Sequence, residues 1–346
     1  MSAYIRDNVA ALHAYTPGEQ PTDPAVVKLN TNENPYPPAP SVLDVLQRAP
    51  SDWFRLYPDP VARRLREAIA RVHGCAVENV FCGNGSDEVL ALCIRAFVPD
   101  HGRIGYFDPS YSLYPVLAAI ANIGTVPLSL EEDFSWPVPE QSYDVPLFFW
   151  TNPNAPTSLL CPQDRIAAYA DRSEGVVVVD EAYADFAEHN ALALALERPN
   201  VLVTRSFSKS YSLAGARLGY AIGDAALIEA LYKIKDAYNI DRLTQEVGRA
   251  AMEDQAYMQH NVTRIRTTRE RVKQQLEQRG YFVYPSQTNF LWIRPPAETA
   301  AADLFNALRD QQIYVRYFAA ERTRDHLRVT IGTDQQMDAF LSALPM

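Results

Sequence analysis

The chain has 346 residues, a formal net charge of −10 and a hydrophobic content of 47%. This is the composition of a globular protein of about two domains. It excludes a disordered chain, a collagen-like chain and a disulfide scaffold, because a chain of this length buries a sufficient apolar core. An acidic chain without a basic run is also a poor match for nucleic acid, so we expect no nucleic-acid partner.

The cysteines and histidines indicate neither disulfides nor a metal site. The four cysteines contain no C-x-x-C pair, and the six histidines contain no H-x-x-x-H pair. We therefore expect buried thiols in a reducing compartment and no bound metal. The N-terminus lacks an apolar signal core, and the longest apolar runs are only as long as strands. The sequence thus predicts a cytoplasmic protein that does not contact a membrane.

Prolines recur through the first forty residues, which predicts an extended N-terminal arm over residues 1–40. Helical and strand patterns then alternate, which predicts βαβ units over residues 41–242, in a mainly parallel sheet covered on both faces. The predicted helices are Val61–His73, Ser86–Phe97, Gln163–Ala170 and Ala225–Lys235, and the predicted strands are Arg103–Phe107, Pro146–Trp150, Val176–Asp180 and Val201–Arg205.

Beyond about Arg242 the pattern changes to that of a smaller α+β domain, which we predict over residues 243–346. It begins with one long polar helix, Thr244–Arg279. The predicted fold class is therefore α/β: a three-layer αβα large domain with a smaller α+β C-terminal domain. The strands predicted for the smaller domain are Phe282–Tyr284, Asn289–Arg294, Ile313–Tyr317 and Leu327–Ile331, with a helix at Ala300–Asp310.

A glycine-containing loop follows the short apolar run Val80–Cys82. It reads Gly83-Asn84-Gly85-Ser86-Asp87-Glu88 and leads into a predicted helix. Backbone N–H groups at a helix N-terminus bind anions, so the loop is a candidate phosphate site. Two other interpretations stay open: a dinucleotide fingerprint, whose third glycine is Glu88 here, and a simple N-cap at Ser86 or Asp87.

A lysine flanked by serines follows the predicted strand Val201–Arg205. The segment reads Ser206-Phe207-Ser208-Lys209-Ser210, and Arg217 comes eight residues after the lysine. Hydroxyls and a guanidinium bind phosphate, and a lysine beside a phosphate-bearing aldehyde can bond to its carbon. The alternative is a solvated surface lysine.

A carboxylate ends the predicted strand of four valines, in the segment Asp180-Glu181-Ala182-Tyr183. A carboxylate in that position is expected to be buried, and a buried carboxylate requires a cationic or hydrogen-bonded partner. A protonated pyridine nitrogen is such a partner for Asp180, and Tyr183 would then reach the phenolic oxygen of the same ring. The alternative is that Asp180 caps the following helix.

Together these segments resemble the fold-type I aminotransferases, which use pyridoxal 5'-phosphate, and more narrowly the histidinol-phosphate aminotransferases. The resemblance extends from Leu29-Asn30-Thr31-Asn32-Glu33-Asn34-Pro35 to Leu327-Arg328-Val329-Thr330-Ile331-Gly332-Thr333. It implies the fold of these enzymes and pyridoxal 5'-phosphate as the cofactor.

The resemblance also implies how the cofactor is held. Lys209 would form the covalent link and move the substrate proton, Asp180 would keep the ring nitrogen protonated, and Tyr183 would donate to the phenolic oxygen. Tyr111 would stack on the ring. Tyr57 would reach the cofactor phosphate from the neighbouring subunit, which implies a homodimer. The other phosphate contacts would be the backbone of Gly85, Ser86 and Asp87, the hydroxyls of Ser206 and Ser208, and Arg217.

Three substrate contacts are implied by the same resemblance. Arg328 would bind the substrate α-carboxylate through its planar guanidinium, and Arg316 and Tyr15 would meet the phosphate of the substrate itself. The alternative for Arg316 is a surface arginine on an edge strand. The alternative for Tyr15 is packing of the arm.

One loop departs from the family pattern. The family reads N-P-N-N-P-T-G, and its last asparagine contacts the phenolic oxygen, whereas this chain reads Asn152-Pro153-Asn154-Ala155-Pro156-Thr157-Ser158. Ala155 stands at the position of that asparagine, and Asn154 is one residue too early to replace it. We expect that oxygen to be served by Tyr183 alone, by water or by another donor.

The resemblance implies amino-group exchange between histidinol phosphate and 2-oxoglutarate, which gives imidazole acetol phosphate and glutamate in histidine biosynthesis. Two other enzymes remain as alternatives: an aromatic amino-acid aminotransferase, which needs no phosphate anchor, and a threonine-phosphate decarboxylase. Outside the enzymes, the alternative is a ligand-sensing regulator on the same fold. That would require a helix-turn-helix module, for which the proline-rich arm has no room.

Overall fold

The computed structural model describes residues 4–12, 18–23, 25–137 and 144–345. A short strand in the arm, β1 (Val27–Lys28), precedes a central sheet of seven strands. The strands of the central sheet are β2 (Val80–Gly83), β3 (Arg103–Asp108), β4 (Gly124–Ser129), β5 (Leu147–Thr151), β6 (Val176–Asp180), β7 (Val201–Ser206) and β8 (Gly219–Gly223).

The central sheet has the strand order β2-β8-β7-β6-β5-β3-β4. Strands β3 to β7 pair in parallel, and β8 is antiparallel to both β2 and β7. The prediction of a mainly parallel sheet in an α/β fold is confirmed. Because parallel strands end at the same edge, their carboxyl ends bring distant loops together.

Successive residues of the central strands enter different cores. In β5, Phe148 and Trp150 pack into one apolar cluster, whereas Leu147 and Phe149 pack into another on the opposite face. Side chains alternate across a strand, so a sheet covered by helices on both faces needs apolar residues at every position. This explains why the strand sequences are continuous apolar runs.

Thirteen α-helices and three short 3₁₀ turns occur in the described residues. Among those residues no helix is both long and apolar enough to cross a bilayer. The helices are α1 (Asp7–Ala10), α2 (Pro40–Gln47), α3 (Asp52–Arg55), α4 (Arg63–His73), α5 (Ser86–Phe97), α6 (Leu113–Ala121), α7 (Gln163–Ala170), α8 (Leu192–Glu197), α9 (Ala225–Ile234), α10 (Arg242–Glu253), α11 (Gln255–Gln278), α12 (Ala301–Asp310) and α13 (Asp334–Ala343), and the 3₁₀ turns are Val77–Asn79, Ala184–Phe186 and Ala214–Ala216.

The prediction of a single helix over Thr244–Arg279 is wrong. The chain leaves the helical conformation at Asp254, whose ψ is 60°, and α11 begins at the next residue. The Asp254 carboxylate accepts a hydrogen bond from the Tyr257 N–H at 3.3 Å, so the break is also the N-cap of α11. Aspartate favours such caps over a helix interior.

The C-terminal part contains a four-stranded antiparallel sheet in the order β12-β13-β10-β9, whose strands are β9 (Phe282–Val283), β10 (Phe290–Arg294), β12 (Arg316–Tyr317) and β13 (Leu327–Thr330). The remaining strand, β11 (Ile313–Tyr314), pairs in parallel with β1 of the arm. The single strand predicted over Ile313–Tyr317 is therefore wrong, because its two halves pair with different partners. The predicted domain boundaries after residues 40 and 242 stay predictions.

A buried ion pair lies beside the carboxyl ends of β6 and β7. Arg205 donates to Glu181 Oε2 through Nε at 2.9 Å and through Nη2 at 2.8 Å, and both side chains are buried. The other Glu181 oxygen accepts from the N–H of Ala191. The pair therefore fixes the loop after β6 to the strand that leads to Lys209.

Glu181→Ala should lower the free energy of unfolding by roughly 3–5 kcal/mol, because the variant removes the carboxylate that is hydrogen-bonded to the buried Arg205 guanidinium and leaves only that of Asp185, at 3.8 Å. Urea denaturation of the cofactor-free protein measures this. The matched control is Asp171→Ala. The Asp171 side chain is 57% exposed and forms an ion pair with Arg198. Because exposed ion pairs contribute little, this control variant should change stability far less. Equal losses in the two variants would contradict the structural role of the buried pair.

Candidate active site

A cavity lies at the carboxyl ends of the parallel strands, between the central sheet, the arm and the C-terminal sheet. The loops after β2, β3, β5, β6 and β7 all contribute to its lining. Most predicted site residues meet there, namely Ser86, Asp87, Tyr111, Asp180, Tyr183, Ser206, Ser208, Lys209, Arg217, Arg316 and Arg328.

The Lys209 amine lies inside this cavity. Its Nζ donates to the backbone carbonyl of Thr31 in the arm at 3.2 Å and lies 5.9 Å from the centre of the Tyr183 ring. Burial, followed by the nearby Arg328 guanidinium, lowers the pKa of Lys209 to about 8. Near neutral pH a much larger share of the amine is therefore uncharged than in a solvated lysine, and the uncharged amine is the nucleophile.

The Asp180 carboxylate is 3% exposed at the end of β6. The Tyr114 hydroxyl donates to its Oδ2 at 2.9 Å, and the Ala182 N–H donates to its Oδ1 at 3.3 Å. Burial raises the pKa of Asp180 to about 6, and the hydrogen bond from Tyr114 acts in the opposite direction. A cationic N–H in the cavity would stabilise this carboxylate and lower its pKa again.

The loop after β2 and the residue Arg217 form one polar corner of the cavity. Arg217 Nη2 lies 3.2 Å from Asp87 Oδ2, and the Tyr111 hydroxyl donates to Asp87 Oδ1 at 3.1 Å. Gly85 has a φ of +82°, and a Cβ on it would lie 2.7 Å from Arg217 Nη2. The positive φ favours glycine here, and a Cβ would also displace the Arg217 guanidinium.

Ser206, the last residue of β7, and Ser208 line the same cavity. The Ser208 N–H donates to Ser206 Oγ at 3.0 Å, and both residues are buried and line the cavity. This corner combines hydroxyls, a guanidinium and the N-terminus of α5, which are the groups that bind a phosphate.

The position that departs from the family pattern, Ala155, also lines the cavity. The neighbouring Asn154 is buried, and its amide donates to the Pro109 carbonyl at 3.1 Å and to Thr157 Oγ1 at 2.8 Å. The Asn154 amide is thus bonded to the loop after β3 and to its own loop, in agreement with the expectation that it does not replace the family asparagine.

The two arginines predicted to bind substrate lie opposite each other. Arg316 in β12 and Arg328 in β13 are direct partners in the antiparallel register. The Phe318 ring centre lies 5.2 Å from the Arg316 guanidinium carbon and 5.5 Å from that of Arg328. The register therefore places two guanidinium groups side by side at the cavity.

Of the predicted site residues that the structure describes, Gly85 and Tyr57 do not line the cavity, although Gly85 directly precedes Ser86, which does. Tyr57 is 76% exposed and stacks on Tyr238, with ring centres 4.5 Å apart. It lines a separate surface depression with Trp53 and Phe54. Tyr15 lies outside the described residues.

The sequence patterns did not predict that Tyr114 and Phe318 contact site residues, and they gave no role to Asn32. Tyr114 lies in α6, three residues after Tyr111, which precedes the helix, so no helical spacing linked the two in the sequence. Asn32 was part of the resembling segment, yet only the folded chain shows that its amide donates to the Tyr183 hydroxyl at 2.9 Å.

Comparison with known proteins agrees with this geometry. The family model described as aminotransferase class I and II matches residues 24–344. The chain belongs to this aminotransferase family. The family enzymes most similar to it include a histidinol-phosphate aminotransferase of Chromohalobacter salexigens, which is 47% identical over 99% of both chains. Histidinol-phosphate aminotransferase 1 of Burkholderia pseudomallei is 44% identical over 99% of this chain and 98% of its own.

Among solved structures of aminotransferases, the chain resembles the histidinol-phosphate aminotransferase of Sinorhizobium meliloti in complex with pyridoxal-5'-phosphate. The TM-score is 0.89 at 25% identity, with 100% of this chain and 97% of that chain covered. The prediction of a fold-type I aminotransferase fold is confirmed.

Covalent capture of pyridoxal 5'-phosphate by the cofactor-free enzyme should become about tenfold faster per pH unit below pH 8 and level off above it. The reason is that the fraction of uncharged Lys209 amine stops increasing once the pH passes a pKa of about 8. Stopped-flow absorbance measures the rate. The control is Nα-acetyl-lysine, whose free side-chain amine has a pKa of about 10.4. Its rate of reaction with pyridoxal 5'-phosphate should keep rising up to about that pH. An enzyme rate that follows the control up to pH 10 would show that the Lys209 amine is not the attacking group or is not buried.

Proposed function

We propose that this aminotransferase exchanges the amino group of histidinol phosphate with 2-oxoglutarate, giving imidazole acetol phosphate and glutamate, in histidine biosynthesis. The observation that carries the proposal is the opposed pair Arg316 and Arg328, which line the same cavity as Lys209. One substrate contributes a phosphate and the other an α-carboxylate, so a site with two anion-binding groups fits both. The names of the relatives support the same substrate.

Pyridoxal 5'-phosphate fits the residues of the cavity. The buried Asp180 carboxylate matches a protonated ring nitrogen, and the corner formed by Gly85, Arg217 and the serines matches a phosphate. When bound, the cofactor supplies an aldehyde carbon that bonds to an amine and a ring that withdraws electrons from the substrate α-carbon.

The protein's own side chains would then do the following work. Asp180 keeps the proton on the ring nitrogen, and Tyr183 donates to the phenolic oxygen. Tyr111 covers one face of the ring. The Lys209 amine would hold the cofactor through its aldehyde carbon and, when free, would take up and deliver the proton of the substrate α-carbon. The phosphate is held by the hydroxyls of Ser206 and Ser208, by the guanidinium of Arg217 and by the backbone N–H groups of Gly85, Ser86 and Asp87.

Arg316 would bind the phosphate of histidinol phosphate, and Arg328 the α-carboxylate of glutamate or 2-oxoglutarate. Histidinol phosphate carries a phosphorylated hydroxymethyl group where an amino acid has its carboxylate, so its phosphate lies on the same side of the α-carbon as that carboxylate would. The opposed Arg316 and Arg328 would therefore hold the phosphate of one substrate and the α-carboxylate of the other in the same part of the cavity.

We further propose a cytoplasmic homodimer in which Tyr57 completes the partner's phosphate site. Phe54, Leu56 and Tyr57 are exposed, as is Tyr238, and such an aromatic patch is typical of a surface that another chain covers. All four cysteines are free thiols, which supports a reducing compartment.

Arg316→Ala should lower kcat/KM for histidinol phosphate roughly 30- to several-thousand-fold, because removing one partner of a desolvated charge pair costs roughly 2–5 kcal/mol. Phenylalanine and tyrosine carry no phosphate, so their values should change little. Steady-state assays with each donor measure the difference. The matched variant Arg328→Ala should chiefly damage turnover of substrates with an α-carboxylate, glutamate first among them.

An equal loss for histidinol phosphate and phenylalanine in Arg316→Ala would mean that Arg316 has a structural role. The aromatic amino-acid aminotransferase would then be the better assignment.

Mixing Tyr57→Phe subunits with Lys209→Ala subunits should restore cofactor retention and activity beyond either variant alone. Each heterodimer then holds one site in which Lys209 of one chain and Tyr57 of the other are both intact. Subunit exchange followed by gel filtration and a turnover assay measures the recovery. A fully active monomer, or no recovery in verified heterodimers, would refute the shared site.

A further inference from the structure

Asn32 belongs to the segment Asn30–Asn34, which passes over the cavity and is called here the covering segment. Asn32 is 1% exposed and lines the cavity that contains Lys209. Its Nδ2 donates to the Tyr183 hydroxyl oxygen at 2.9 Å, across 151 positions of the sequence. Tertiary structure alone therefore brings the amide to this hydroxyl.

The orientation of the Asn32 amide is set by Thr330 in β13. The backbone N–H of Asn32 donates to Thr330 Oγ1 at 3.0 Å, and the Thr330 hydroxyl donates to Asn32 Oδ1 at 3.0 Å. A threonine hydroxyl has one proton, and here that proton goes to Oδ1. The NH₂ group of the amide consequently faces Tyr183.

The backbone of Asn32 is held equally firmly. Its φ is +55°, in the left-handed region that asparagine tolerates better than most side chains. The Asn289 amide donates to the Asn32 carbonyl oxygen at 3.0 Å. Both the backbone and the side chain of Asn32 are thus fixed by hydrogen bonds, so the contact with Tyr183 has a defined geometry.

We propose that Asn32 is a positioning residue, which aims the Tyr183 hydroxyl proton at the phenolic oxygen of the bound cofactor. The proposal rests on the cofactor contact assigned to Tyr183 in the proposed function. A hydroxyl accepts through its lone pairs and donates through its proton, so the bond from Asn32 does not use the Tyr183 proton. It restricts where that proton points, and it polarises the hydroxyl as a donor.

The other contacts of the covering segment decide how this is tested. The Thr31 carbonyl accepts from Lys209 Nζ at 3.2 Å, and the Asn30 carbonyl accepts from Arg328 Nη2 at 3.0 Å. A useful variant must remove the Asn32 side chain and leave this backbone in place. Glycine adopts a φ of +55° without strain, so Asn32→Gly meets the requirement.

The absorbance of the bound cofactor changes with pH as the Lys209 nitrogen that is bonded to it loses its proton. The measured quantity is the pH at the midpoint of this change. A hydrogen bond to the phenolic oxygen stabilises its negative charge, which is greatest when the Lys209 nitrogen bound to the cofactor has lost its proton. Weakening that bond therefore raises the midpoint. We expect Asn32→Gly and Tyr183→Phe each to raise it by about 0.5 to 1 pH unit.

In the double variant Asn32→Gly/Tyr183→Phe the midpoint should equal that of Tyr183→Phe alone, because Asn32 acts only through the hydroxyl. Asn32→Ser is a second variant, since its side chain can still bond to Thr330 but is too short to reach Tyr183. It should shift the midpoint in the same direction, and it carries the test if the glycine variant does not fold.

An unchanged midpoint in a folded Asn32 variant, together with a raised midpoint in Tyr183→Phe, would overturn the positioning role and leave the role of Tyr183 intact. Additive shifts in the double variant would also overturn it. An unchanged midpoint in Tyr183→Phe would instead refute the cofactor contact of Tyr183, and the positioning role with it.

Discussion

Burial of the Lys209 amine beside guanidinium groups is the constraint on which the rest of the site depends. Burial and the charges of Arg328 and Arg217 favour the uncharged amine, whereas Glu33 and Asp87 favour the ammonium, and the balance is a pKa of about 8. A lysine held this way is a nucleophile and a base near neutral pH. Arg328 and Arg217, which lower the pKa of Lys209, are also the groups proposed to bind the substrate carboxylate and the cofactor phosphate. The same positive charges therefore contribute both to the reactivity of the amine and to the binding of anions.

Three parts of the chain must meet for this arrangement to exist. The parallel strands deliver Asp180 and Lys209 to one edge of the central sheet. The register of β12 and β13 places Arg316 opposite Arg328. The arm pairs through β1 with β11, and its covering segment then supplies the carbonyl that accepts from the Lys209 amine. Unfolding of any one part would therefore remove groups from the site that the others cannot replace.

The sequence predicted the features that follow from local patterns. Asp180 and Lys209 were found because they end or follow strongly apolar strands, and strand ends meet at one edge in a parallel sheet. The partners of these groups could not be found this way, because Tyr114 and Asn32 reach the site through tertiary contacts between distant segments. The break at Asp254 was missed because the helical pattern of apolar residues continues through it, and only the cap reveals it.

The central claim, that Lys209 forms the covalent link to the cofactor, is tested most directly by borohydride reduction of the loaded enzyme and tryptic peptide mapping. Reduction makes the link permanent and blocks cleavage after the modified lysine. The account predicts that the label appears on one uncleaved peptide from Ser206 to Arg217. Recovery of the label on another lysine, such as Lys28, with cleavage after Lys209 unaffected, would contradict it.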